Sequence, residues 1–251
     1  MFLRKKAIVL GKESIGEIDL LVELLTEDGK LWGIAKGGQK SKKRFLNAFE
    51  DLNYIEVHLR KNTTALPIIE KVDILFIPES LRYDLKKYFF SSYLTELLSK
   101  VSFQDLPADY FWFVVKLVRF FDQYEFLKVL KPFVEIKLLS FLGWTPELKR
   151  CVRCGYLPKR VFYFSYVDGG ITCYKCRKEE DEFLEKNVVD ILRKLSKMPL
   201  DRNSLNELEK YFNVELKMFD RTKRLVENFL KLHCDIELSS AKHLFEELNH
   251  G

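Results

Sequence analysis

Ile18-Asp19-Leu20-Leu21-Val22-Glu23-Leu24-Leu25-Thr26-Glu27-Asp28-Gly29-Lys30-Leu31-Trp32-Gly33-Ile34-Ala35-Lys36 is the stretch on which the architecture of this chain turns. Two β-rich runs, Ile18 to Thr26 and Lys30 to Lys36, flank the pair Asp28-Gly29, a strong hairpin signal between apolar runs. Gly37-Gly38 then ends the second run. Further β-rich runs lie on either side, at Lys6 to Leu10, Leu52 to Arg60 and Ala65 to Leu75. Alternation is clearest where Ile55, Val57 and Leu59 face one way and Tyr54, Glu56, His58 and Arg60 the other. Five short strands separated by turn residues predict a small barrel.

Beyond Pro78 the texture becomes helical. Leu81, Leu85, Tyr88, Phe89, Leu94, Leu97, Leu98 and Val101 fall at three- and four-residue steps along one face, which places a domain boundary near residue 80. Pro107 opens a second helix through about Asp122, and Pro132 begins or kinks a third that stops at Gly143. Four more helices are expected, over Asp181 to Leu195, Ser204 to Phe212, Lys217 to Leu232 and Ser239 to Leu248. The run Tyr110-Phe111-Trp112-Phe113 through Phe120-Phe121 is read as core, with a groove for a partner's apolar tail as the lesser reading.

Between these helices stand Cys151-Val152-Arg153-Cys154 and, eighteen residues on, Cys173-Tyr174-Lys175-Cys176. Each two-residue gap lets a tight turn aim two sulfurs at one ion. The separation leaves room for a hairpin, Val161 to Phe164 and the turn Asp168-Gly169-Gly170, to return the second pair. The spacing suits one structural Zn2+ per chain, with four protein ligands and no open position for activating water. An iron–sulfur cluster takes the same four thiolates, and two disulfides would use the same sulfurs. Cys234, the remaining cysteine, is read as a packing residue.

The formal net charge of +5 is modest, but its distribution is not even. Lys30 to Arg44 carries six basic residues and no acid, and Lys149 to Lys178 carries eight against Asp168 alone. The loop residues Lys36, Lys40, Lys42, Lys43 and Arg44 are the primary candidates for contact with nucleic-acid phosphates, with Phe45 or Tyr54 nearby to stack on bases. Arg150, Arg153, Lys159, Arg160, Lys175 and Arg177 form a possible second patch around the cysteines. A solvated connecting loop and a basic decoration are the bland alternatives.

Several function classes are excluded. The basic loop lacks the Gly-Lys-Ser/Thr ending of a P-loop, and there is no nucleophile elbow, His-Glu-x-x-His or dinucleotide fingerprint. No histidine is followed by x-Glu, as a zinc deaminase requires. No catalytic residue is assigned; a nuclease built on Glu13, Glu17 or Asp19 is the remote enzymatic reading. The apolar start breaks at Gly11-Lys12-Glu13, and the run Tyr110 to Phe121 is too short to span a bilayer, so a cytoplasmic protein is expected.

Taken in order, these pieces resemble the bacterial RecO family of recombination mediators, over nearly the whole chain. The resemblance is carried by Ala7-Ile8-Val9-Leu10, Gly16-Glu17-Ile18-Asp19, Gly29-Lys30 and Ile34-Ala35-Lys36-Gly37 before the basic residues. It continues through Phe141-Leu142-Gly143-Trp144-Thr145-Pro146, Cys154-Gly155, Gly169-Gly170-Ile171-Thr172-Cys173 and His233 through Glu237-Leu238-Ser239-Ser240 to Phe245. It implies an N-terminal OB-fold nucleic-acid-binding domain over 1–79. A helical domain over 80–251 follows, interrupted at 147–180 by a four-cysteine zinc knuckle. It further implies a non-enzymatic role in DNA repair: binding single- and double-stranded DNA, annealing complementary strands, and with RecR loading the RecA recombinase onto DNA coated by single-stranded DNA-binding protein. Some members of the family lack the full cysteine set. A zinc-containing adaptor that docks partner proteins, its charge incidental, is the alternative.

Overall fold

Five strands, β1 (Phe2–Ile15), β2 (Asp19–Thr26), β3 (Gly29–Ala35), β4 (Tyr54–Arg60) and β5 (Ile68–Phe76), close into a barrel in the order β1-β2-β3-β5-β4. This is a computed structural model, and it describes residues 2–41, 43–61, 66–236, 238 and 240. The β2–β3 hairpin turns at Asp28-Gly29 as expected, with Thr26 opposite Gly29 and Leu20 opposite Ala35. β1 is much longer than the expected Lys6 to Leu10. Its first half pairs with β4, from Phe2 opposite Arg60 to Ile8 opposite Tyr54, and its second half with β2, out to Ile15 opposite Asp19. A bulge between Val9 and Gly11 bends it from one neighbour toward the other; such a bulge strengthens local twist without ending a strand. Gly11-Lys12-Glu13, read as a break, is instead the continuation beyond that bend.

The barrel closes where Ile34 meets Ile68 in parallel and the Ile34 N–H donates to the Pro67 carbonyl at 2.9 Å. Ala7, Val9, Val22, Leu24, Ala35, Ile55, Val57, Leu59 and Ile69 fill its interior. Phe45, Ala48 and Phe49, from the segment between β3 and β4, join that core, with the two rings 5.3 Å apart. Asn53 holds this plug by donating its amide to the carbonyls of Asn47 and Ala48.

The helices α1 (Ser80–Tyr83), α2 (Leu85–Val101) and α3 (Ala108–Gln123) follow. Asp84 caps α2 by accepting from the Lys87 N–H at 3.0 Å, satisfying a donor left open in its first turn. Most of the aromatic run of α3 is core: Tyr110, Phe111, Phe120 and Phe121 are buried, and Phe121 stacks on Phe90 of α2 at 4.4 Å, but Trp112 is exposed and Phe113 only half-buried. The chain beyond α2 returns to the hairpin turn, where the Lys30 N–H donates to the Phe103 carbonyl at 2.9 Å. Strand gives way to helix at residues 77–80, but α1 to α3 pack with the barrel. Residues 2–126, with Leu238 and Ser240, form one compact unit and 127–236 a second.

In the second unit, α4 (Leu130–Phe141) packs on α5 (Lys186–Lys197) and α7 (Leu216–Cys234), with α6 (Arg202–Val214) against α7. The start of α4 is capped from α6: Glu209 accepts from the Lys128 and Val129 N–H groups at 3.0 and 2.8 Å. Its end is a left-handed Gly143, with Gly143 N–H bonded to the Ser140 carbonyl and Trp144 N–H to that of Leu139, the pairing of a Schellman stop. Lys131 of α4 is buried between Glu135 at 2.5 Å and Glu227 at 2.6 Å. Between α4 and α5 lies a three-stranded sheet, β7 (Gly170–Thr172), β6 (Phe162–Ser165) and β8 (Glu182–Leu184), in that order. The helix expected from Asp181 therefore begins only at Lys186, because Glu182 to Leu184 pair with β6 first. The helix expected over Ser239 to Leu248 falls, but for Ser240, outside the described residues.

Two glycines separate the causes of strain. Gly16 has φ +59° and open space around it, whereas Gly29 has φ +100° and a Cβ there would lie 2.3 Å from the Phe103 carbonyl oxygen. Gly16→Ala is expected to cost about 1 kcal/mol from the left-handed backbone alone. Gly29→Ala adds a backbone clash and is expected to cost more than ~2 kcal/mol, as measured by urea unfolding of both variants.

Candidate nucleic-acid interface and metal centre

The β6–β7 hairpin pairs Tyr163 with Thr172, Phe164 with Ile171 and Ser165 with Gly170. It carries Cys173 back to the first cysteine pair, as the spacing requires. Backbone bonds hold the two halves together: Val152 N–H donates to the Ile171 carbonyl at 2.9 Å, and Ile171 N–H to that of Glu147 at 2.8 Å. Gly170 is needed at this crossing, since a Cβ there would sit 2.4 Å from the Glu147 carbonyl oxygen. Each pair then closes its own turn, with Gly155 N–H bonded to the Cys151 carbonyl and Cys176 N–H to that of Cys173.

The four sulfurs of Cys151, Cys154, Cys173 and Cys176 all lie within 4.8 Å of one another, and Cys154 and Cys173 are 3.7 Å apart. A tetrahedron with metal–sulfur bonds of ~2.3 Å has edges of about 3.8 Å, so the cluster is capable of holding a metal ion. Its protons behave accordingly. Burial pushes the Cys151 thiol up, but N–H donors from Cys173, Arg153 and Cys154 outweigh this and bring it to about 7. The Cys176 thiol, beside Cys154 and Cys173, is pushed up to about 12. Four thiols this close cannot all ionise without a cation among them.

Arg153, between the first two cysteines, is the hub of this segment. Its guanidinium pairs with the buried Asp181 at 2.5 Å and with Asp168 at 2.6 Å, and donates to the Cys176 carbonyl. Asp181 also accepts from Thr172 Oγ1 and from the Lys178 N–H. Burial raises the Asp181 carboxyl, yet the Arg153 bond together with those from the Lys178 N–H and Thr172 outweighs it and holds the carboxyl low; Asp168 is held low by Ser165 and then Arg153. Of the six basic residues expected to form a second patch, Arg153 is thus spent on the internal structure. Arg150, Lys159, Arg160, Lys175 and Arg177 are exposed.

The basic loop leaves β3 through a left-handed Gly37 and a turn of 3-10 helix over Gly38–Lys40. Asp19 accepts from the Gly37 N–H at 2.7 Å, and Gln39 reaches back to the carbonyls of Gly16 and Asp19. These bonds pin the base of the loop. Arg44 donates to the Lys36 carbonyl at 3.0 Å. Lys36, Lys40, Lys43 and Arg44 are exposed, and among the described residues none has an ion-pair partner. Lys42 lies outside the described residues. The stacking partners expected beside the loop are not available: Phe45 is 4% exposed in the barrel plug and Tyr54 is 5% exposed against Phe111. Phe45 is claimed by the plug that fills the barrel, and Tyr54 by its contact with α3.

A second group of possible ligands, Glu56, His58 and Asp73, stands on the barrel wall. His58 Nε2 is 2.7 Å and Lys71 Nζ 2.5 Å from Asp73, whose carboxyl is held low by Lys71 first and His58 second. It is an ion-pair network. No helix of the described residues is long and apolar enough to cross a membrane.

A closed five-stranded barrel with a basic loop, its described cations unpaired, followed by a helical part that carries four clustered thiols, defines a protein of the OB-fold class. Comparison with known proteins gives the family. Residues 1–77 match the model for the N-terminal part of Recombination protein O and residues 82–242 that for its C-terminal part, and the chain belongs to this family. It is 32% identical over 178 residues to the DNA repair protein RecO of Bacillus pumilus, covering 70% of this chain and 69% of that one. To the RecO protein of Caldanaerobacter subterraneus it is 29% identical over 249 residues, covering 95% and 96% of the two chains. RecO proteins are non-enzymatic mediators, so the protein is a mediator of DNA repair and recombination and not an enzyme.

The Arg153–Asp181 pair sets an acid limit. A carboxyl held below its unfolded value of ~3.9 contributes stability that is present above that pH and lost as pH falls through the lowered folded value. Asp181→Asn is therefore expected to melt lower than the unaltered protein at pH 7 and to show a flatter decline between pH 4 and 2. Thermal melts across that range check this.

Proposed function

We propose that this protein is a recombination mediator that holds single- and double-stranded DNA through the Lys36 to Arg44 loop and the barrel behind it. In this reading it anneals complementary strands and, with RecR, helps load RecA onto DNA coated by single-stranded DNA-binding protein. The observation that carries the reading is the loop itself: cations with no ion-pair partner among the described residues, on a base pinned by Asp19. Such cations are free to replace the counterions of a phosphate backbone, which gives affinity with little sequence preference. Annealing needs no bond made or broken, because neutralising two backbones lowers their mutual repulsion. RecR, single-stranded DNA-binding protein and RecA enter through family membership, as does a place at the nucleoid in the cytoplasm.

With three to five phosphates neutralised, log affinity for single-stranded DNA is expected to fall with log salt at a slope of roughly −2 to −3.5. Replacing Lys40, Lys42, Lys43 and Arg44 together by alanine is expected to weaken binding and flatten the slope by about 0.7 for each phosphate no longer neutralised. A slope near zero in the unaltered protein overturns the loop as the DNA site. Normal DNA binding by the quadruple variant moves the site elsewhere.

The cysteine cluster is assigned one structural Zn2+. The donor set supports this: four thiols all within 4.8 Å of one another, close enough to share one ion. Cys151, Cys154, Cys173 and Cys176 would hold the ion, which would supply charge to keep all four ionised and a cross-link between the two turns. Arg153 and its carboxylates orient the turns around it. Elemental analysis is expected to find one equivalent per chain, and chelation to loosen this segment at a cost well below the ~10 kcal/mol seen where a metal supports a whole small domain. Less than a tenth of an equivalent, with the cysteines oxidised, would favour disulfides.

A further inference from the structure

Lysines on a loop recognise a backbone and are indifferent to its bases, while Phe45 is taken up by the barrel core and Tyr54 is covered by α3. The β6–β8 sheet has the opposite balance. Phe162 and Phe164 face inward, 1% and 0% exposed, which turns Tyr163 and its cross-strand neighbour Phe183 outward, their rings 5.8 Å apart and steeply inclined. Arg177, next to Cys176, lays its guanidinium 5.0 Å from the centre of the Tyr163 ring and 5.2 Å from that of Tyr174. Its Nη1 also donates to the Tyr163 hydroxyl at 3.1 Å. The cation is thus fixed between two rings, and Tyr174, which completes the stack, is 66% exposed.

A tyrosine with two thirds of its surface in water is usually mobile, but this one is held twice. The turn between Cys173 and Cys176 fixes its backbone, and the guanidinium fixes its ring; a cation over an aromatic face is attracted by the ring's quadrupole. Of the nearby carboxylates, Asp168 and Asp181 are committed to Arg153 and Glu185 to Arg221, while Glu179 and Glu180 stay exposed, Glu180 3.9 Å from Lys178. Lys159, Arg160 and Lys175 are exposed and, among the described residues, without an ion-pair partner. Preordered rings beside free cations are what an unpaired base and its phosphate require: the ring offers a stacking face and the cations the counter-charge. A duplex keeps its bases stacked on one another and offers only the phosphates.

We infer that Tyr174, Arg177 and Tyr163 form a stacking platform for unpaired bases of single-stranded DNA, so that the cysteine segment reads strandedness while the barrel loop reads charge. This rests on the DNA-binding reading above and adds to it a second site with a different preference.

The test uses the full chain at low salt, with a labelled oligothymidylate and an abasic strand of the same length. The unaltered protein is expected to bind the base-bearing strand about tenfold more tightly, the worth of one stacked base. Tyr174→Ala should remove most of that difference and leave affinity for the abasic strand unchanged. Tyr174→Phe, which keeps the ring, should behave as the unaltered protein, and matching thermal melts show that neither variant is misfolded. Equal binding of the two strands by the unaltered protein overturns the platform while leaving the basic loop in place. So does a Tyr174→Ala variant that loses both affinities equally. Failure of either strand to bind at all overturns the DNA reading and the platform with it.

Discussion

The strand β1 has to serve two neighbours, and the N-terminal unit depends on how it does so. Five strands can close only if the first meets both the second and the fourth, and β1 manages this by length and by the bulge between Val9 and Gly11. Its early residues lie along β4 and its late ones along β2. From that bend follows the placement of the β2–β3 hairpin, whose far end carries Ala35 and then the basic loop. At the near end the same hairpin meets the chain beyond α2 at Gly29, where only a glycine admits the Phe103 carbonyl. The loop therefore projects from the end of the hairpin that α2 and its following segment leave clear, and Asp19 at the mouth of β2 fixes its angle of departure.

The two basic regions, similar as strings of letters, differ physically. In the loop the described charges, Lys36, Lys40, Lys43 and Arg44, have no carboxylate partner among the described residues and stay in water. Around the cysteines one of six is withdrawn altogether, because Arg153 neutralises Asp181, a carboxylate with no exposed surface. Removing one partner of such a buried pair strands the other in a poorly solvated place, which is why burial of this kind is structural before it is anything else. Arg177 takes a middle course: its charge is shared with two rings yet remains at the surface.

How much of this was legible in the sequence can be traced residue by residue. The hairpin at Asp28-Gly29, the helix stop at Gly143 and the convergence of four cysteines were readable, since each rests on local geometry: a turn, a left-handed residue, a two-residue gap. The length of β1 was not, because Gly11-Lys12-Glu13 has the composition of a turn and only pairing with β2 makes it a strand. The helix expected at Asp181 failed for a related reason, as Glu182 to Leu184 are claimed by β6 across a long stretch of chain. At the sites the lysines of the loop were visible as a charge run. The anchoring role of Asp19 and the captivity of Arg153 were not, because both join residues distant in sequence. Tyr174 carries no signal of its own in the sequence, because its fixed ring depends on Arg177 lying over it.

The crossing of Glu147 with Gly170 bears on how the cysteine segment can change over evolutionary time. Its two halves are joined by backbone bonds from Val152 and Ile171 and by the Arg153–Asp181 pair, none of which involves a sulfur. A lineage that lost its thiols one at a time would still inherit a hairpin able to find its partner strand. The hairpin's shape therefore leans first on a glycine with no room for a side chain and on a salt-bridged arginine, neither of which a metal-binding motif would mark.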